Sequence, residues 1–83
     1  MSRRRPNDPY LWYLLAEVQG LAGNIVGLHQ SRAEYFALNG AMKQAVAQLN
    51  SALPLATNQV TAERIHTRMD YFRAIDRALG QLG

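Results

Sequence analysis

The chain contains no cysteine, so neither a disulfide nor a thiolate-bound metal holds it together. Its two histidines, His29 and His66, stand far apart with no carboxylates clustered beside them, and zinc wants about four ligands, so no metal is expected. No apolar run approaches the ~18 residues of a membrane span. Strand signals are missing too: there is no alternating β-branched run and no hairpin dipeptide between such runs. The catalytic signatures H-E-x-x-H and G-x-S-x-G are absent, as are a phosphate loop and a cysteine nucleophile. Gly20-x-x-Gly23 sits inside a helical pattern with no strand before it, so it is not a dinucleotide fingerprint. The six acids, Asp8, Glu17, Glu34, Glu63, Asp70 and Asp76, are spread along the chain at mostly solvent-facing positions. Catalysis needs polar groups that converge, so the expectation is a protein that is not an enzyme, with no cofactor and no small-molecule substrate.

Acidic charge is also scarce, and the sequence pI of about 9.8 invites a nucleic-acid reading. The excess is local. Arg3, Arg4 and Arg5 carry three of the nine positive charges, which leaves six positive against six negative residues and no net charge on the rest. Residues 1–8 therefore read as a disordered basic arm ahead of a single helical domain over 9–83. The stretch MSRRRPNDP is polar, and no A-x-A site follows the apolar segment after it, so no secretory signal is expected. With the absence of cysteine this favours the cytoplasm.

What the chain has in quantity is alanine, leucine, glutamine and arginine, all good helix formers. Asp8 and Pro9 make a helix start: the carboxylate accepts a free backbone N–H, and proline fits the first helical position because its missing N–H would be unpaired there. Leu11, Leu14, Val18, Leu21, Ile25 and Leu28 follow in steps of three and four, the mark of one helical stripe. Ser31-Arg32-Ala33-Glu34 matches a capping box, which puts a boundary near Gln30. A second stripe, Tyr35, Leu38, Met42, Ala45, Val46, Leu49 and Leu53, ends at Pro54 and is interrupted by the turn signal Asn39-Gly40. A third, Ile65, Met69, Phe72, Ile75 and Leu79, opposes a charged side with Arg64, Arg68 and Arg73. The expected fold is all-α: an antiparallel three-helix unit with helices over about 9–30, 32–53 and 58–80, and a candidate break at 39–40. One pattern competes with it. Leu14, Leu21, Leu28, Tyr35, Met42 and Leu49 recur every seven residues, as in one long coiled-coil helix from residue 9 to 53.

The first helix raises its own question, because it carries Gly20, Gly23 and Gly27. Each glycine costs about 1 kcal/mol of helix propensity against alanine. With Ala16 and Ser31 they line up on the side nearly opposite the leucine stripe. Two explanations fit: the small residues let another helix backbone come close, as helix-packing or dimer-interface positions, or the helix ends or bends near Gly20 or Gly23. Apolar on nearly all sides, this helix is expected to be buried on two. A core from about eighty residues rarely supplies more than about 3–5 kcal/mol, so oligomerisation, as a homodimer of the commonest twofold kind, is the expected help.

The function that follows is a small non-enzymatic helical regulator or adaptor acting by protein–protein binding. Trp12, Tyr13 and Tyr71 are candidate partner-contact aromatics, since aromatic side chains anchor interfaces. The alternative is a small dimeric DNA-binding regulator with a helix-turn-helix-like segment over residues 32–50, its turn at Gly40. Lys43, Gln44 and Gln48 would then meet DNA, assisted by Arg3, Arg4 and Arg5. Two features oppose it: bulky Phe36 lies four residues before the glycine, and Lys43 is the only cation of its helix, whereas phosphate affinity needs local charge. A membrane-surface role is not expected, because the polar strip of the first helix is not basic. In size and composition the chain resembles small helical accessory regulators carried by bacteria, phages and plasmids, a likeness that rests on no particular residue.

Overall fold

The computed structural model describes residues 8–82, without the side chain of Leu82. They form four helices: α1 (Pro9–Leu21), α2 (Ile25–Leu38), α3 (Met42–Ala52) and α4 (Gln59–Leu82), with a 3-10 turn at Leu53–Leu55 before α4. The all-helical class is as expected, and no strand occurs among the described residues. The three-helix division over 9–30, 32–53 and 58–80 is corrected to four, and the continuous helix from 9 to 53 is broken twice.

Both breaks have one cause. At the end of α1, Gly23 adopts φ +81°, and at the end of α2, Gly40 adopts φ +82°. In this left-handed region only glycine sits without a Cβ penalty. Each glycine closes a helix through a pair of reversed bonds, which satisfies carbonyls that the helix end leaves free. The Gly23 N–H donates to the Gly20 carbonyl at 3.1 Å and the Asn24 N–H to that of Gln19 at 2.8 Å. The second turn repeats the pattern, Gly40 to Ala37 at 3.0 Å and Ala41 to Phe36 at 2.8 Å.

The starts are equally local. Asp8 Oδ1 accepts the Tyr10 N–H at 3.0 Å with Pro9 in the first turn, and Asn24 Oδ1 accepts the Gly27 N–H at 3.0 Å. Asn58 Oδ1 accepts the Thr61 N–H at 2.8 Å at the head of α4. The boundary expected at Ser31 does not exist. Ser31 lies in the middle of α2, because both polar residues of the apparent capping box are engaged with other helices. Its hydroxyl donates to Gln19 Oε1 at 2.6 Å, and Glu34 pairs with Arg68. His29, expected at a helix end, is also inside α2, and its Nδ1 lies 2.8 Å from Gln48 Oε1 on α3. At the far end α4 runs through Gly80 rather than stopping there, since an exposed glycine inside a helix costs propensity alone.

Each helix packs on the next along the chain, and the assembly is a slab measuring 40 × 38 × 17 Å between Cα extremes. A helix with its side chains is about 10 Å across, so the slab is barely two helices deep. The core lies between α2, α3 and α4: Ala33, Met42, Ala45, Leu49, Ala52, Ile65, Met69 and Phe72, backed by Val26, Phe36, Val46 and Ile75. α1 stands outside this cluster. Its one buried residue is Ala16.

Candidate functional site

The face of α1 turned away from α2 is the largest departure from ordinary burial. At about 100° per residue, Tyr10, Leu11, Leu14, Val18 and Leu21 fall within one arc of roughly 100°, diametrically across from Ala16. Ala16 is 3% exposed, whereas Val18 is 61% and Leu21 90% exposed. Leu15 and Tyr13 flank the arc and are also exposed, as is Ile25 at the start of α2. The only charged side chain of α1, Glu17, lies at the margin. Of the leucine stripe read from the sequence, Leu11, Leu14, Val18 and Leu21 share one outward face of α1, whereas Ile25 and Leu28 fall on α2, with Leu28 half-buried against Gly20.

The small residues opposite explain why. Ala16, Gly27 and Ser31 are buried in or beside the α1–α2 contact. A Cβ on Gly20 would come within 2.8 Å of Leu28 Cδ1. One on Gly27 would meet Asn24 Nδ2 at 2.5 Å and Gln19 Nε2 at 2.6 Å, disturbing both the cap of α2 and the Gln19–Ser31 bond. Gly23 belongs to the turn, with no atom within 4 Å of a Cβ placed there. Gly23 thus ends the helix, while at Gly20 and Gly27 side chains of the facing helix, Leu28 and Gln19, take the space of a Cβ.

The candidate aromatics scatter. Trp12 is half-buried and lines a groove of about 530 Å³ with Gln30, Glu34, Leu49, Val60 and Ile65. Tyr13 is exposed and its ring lies 6.4 Å from that of Tyr10 and 5.8 Å from that of Tyr35. Tyr71 is on α4, half-exposed, with the Arg68 guanidinium 4.8 Å from its ring centre. One edge of the groove is closed by the bidentate pair of Arg68 with Glu34, Nε to Oε2 at 2.9 Å and Nη2 to Oε1 at 2.7 Å. That pair joins residues 34 apart in sequence and carries no local signal that could have revealed it.

The candidate nucleic-acid residues also separate. Lys43 and Gln44 are exposed on α3, Gln48 is half-buried against His29, and Arg3, Arg4 and Arg5 lie outside the described residues. Among the described residues no three histidines, cysteines or acids gather where an ion could sit, and no helix is long and apolar enough to cross a membrane. Glu34 is held by Arg68, and neither histidine faces a carboxylate at hydrogen-bond distance among the described contacts. What the arrangement offers is apolar contact area on the outward face of α1. No protein-family model, curated protein or solved structure matches the chain.

Proposed function

We propose that this chain is a non-enzymatic helical regulator or adaptor that assembles as a homodimer and acts by binding, and so masking, another protein. The observation that carries the reading is the outward row of Tyr10, Leu11, Leu14, Val18 and Leu21 on α1. Fully burying one side chain of this kind stabilises by about 1.5–3 kcal/mol, so a row left in water is a standing drive toward contact. Contiguous apolar surface beyond a few hundred Å² marks interaction sites on folded proteins.

The test is a photoreactive amino acid placed in turn at Val18 on α1 and Tyr71 on α4, in cells that make the chain. Adducts to a polypeptide other than this chain, with a yield that survives high salt, are expected, since apolar contact is not screened. Adducts to nucleic acid alone, to this chain alone, or none from either position, overturn the masking reading.

One feature favours the DNA-binding alternative: α2 and α3 are joined by a three-residue turn at Gly40, and Lys43 and Gln44 of α3 are exposed. That function requires affinity falling steeply with salt and weakening when Arg3, Arg4 and Arg5 are removed.

A further inference from the structure

We infer that the outward face of α1 is covered by α1 of a second copy of this chain, the two molecules pairing through these helices across a twofold axis. The inference deepens the binding function proposed above and takes from it one point, that this face is a contact surface.

Three observations choose a second copy as the occupant. The first is area. From their exposures, Tyr10, Leu11, Leu14, Leu15, Val18 and Leu21 offer on the order of 600 Å², so two copies would cover about 1,200 Å² between them, the lower edge of a stable specific interface. The second is chemistry. The face has one charge, Glu17, at its margin, and so presents no pattern that a partner of opposite sign would read. Leu11, Leu14, Val18 and Leu21 step by three and four, the spacing of a helix that packs against another like it, and an identical row is self-complementary as a twofold interface requires.

The third is the state of the core. Four of the nine apolar residues buried among the described residues are alanines, Ala16, Ala33, Ala45 and Ala52, while the leucines of α1 remain outside. A small chain with a lean core and no disulfide gains most from a subunit that is present whenever the chain itself is made. The small-residue ridge, the other candidate interface, is divided by the turn at Gly23, with Ala16 buried on α1, Gly27 and Ser31 buried on α2, and Gly23 exposed between them.

The test is the solution mass of the full-length protein by light scattering across a wide concentration range. A mass of twice 9.3 kDa is expected. Val18→Glu places a charge at the centre of the face and is expected to weaken association by about a hundredfold or more. Leu79→Glu, at another exposed apolar site, on α4, is expected to leave it unchanged. Both sites are exposed, so the variants should keep the helical circular dichroism of the parent, and a Val18→Glu monomer with that signal intact supports the pairing.

A parent that is monomeric at every concentration overturns it, as does a dimer that tolerates Val18→Glu or responds equally to Leu79→Glu. A monomer that binds vesicles or a different protein through Val18 overturns it as well. Failure of the mass test leaves protein binding to be judged by the cross-links, and absence of polypeptide adducts would remove that reading separately.

Discussion

α1 and α4 stand at opposite ends of the chain of packed helices, and they bury their residues by different rules. α4 carries Glu63, Arg64, Asp70, Arg73 and Arg77 on its exposed side, away from its buried residues Ile65, Met69 and Phe72, while Arg68 is half-buried over Phe72 and paired with Glu34. Charge labels its outside, so its apolar stripe has one direction to face. α1 has Glu17 alone and is apolar on two sides. There the inward side was chosen by size. Ala16 is buried and Gly20 leaves room for the Leu28 side chain of α2, and the bulky residues lie across from them. Hydrophobic periodicity identifies a stripe, and the direction it points depends on what the neighbouring helix has room for.

The sharpest way to break this comparison is to shorten one large side chain on each helix. Phe72→Ala empties a site that is 1% exposed and should cost about 3–5 kcal/mol. Leu14→Ala should cost less than about 1 kcal/mol when measured by urea unfolding at concentrations too low for association. Comparable losses would mean that Leu14 is packed within the chain.

A smaller contrast comes from glycine. Gly23→Ala forces a Cβ into left-handed backbone at the end of α1 and should destabilise by roughly 1–2 kcal/mol, with Gly40→Ala behaving alike. Gly80→Ala, in the open helical end of α4, should be neutral or stabilise by no more than about 1 kcal/mol. Thermal unfolding of the three variants side by side reads the difference, and a stabilising Gly23→Ala would contradict a turn there.

The smallest effect separates the polar ties that fix each helix to α2. Arg68→Ala removes the link from α4 to Glu34, whose partners are 42% and 19% exposed, and about 1 kcal/mol is expected after allowing for solvent screening. Ser31→Ala removes the link from Gln19 of α1 to α2 and should cost a similar amount. Salt distinguishes them: the Arg68 term should shrink in high salt, while the Ser31 term should not.

Much of the fold was legible because it depends on neighbours in sequence. Asp8 and Asn58 cap helices, and Gly40 ends one, through contacts two to five residues away. The apparent capping box at Ser31 and Glu34 misled for the complementary reason. Its spacing was right, but Gln19 and Arg68, twelve and 34 residues away, hold those side chains. The candidate site was half legible: the two faces of α1 were separable by angle, and nothing in either face stated which would meet α2.

By itself, then, the sequence determined an all-helical chain, most of its helix ends, and the buried stripes of α3 and α4, because capping, left-handed glycine and one-sided charge act locally. The tertiary structure alone decided that α1 turns its small residues inward and its leucines out, that Ser31 and Glu34 bridge helices, and that the groove beside Trp12 forms. Each of these depends on which surfaces of distant segments fit together, as where the side chains of Leu28 and Gln19 take the space a Cβ would need at Gly20 and Gly27.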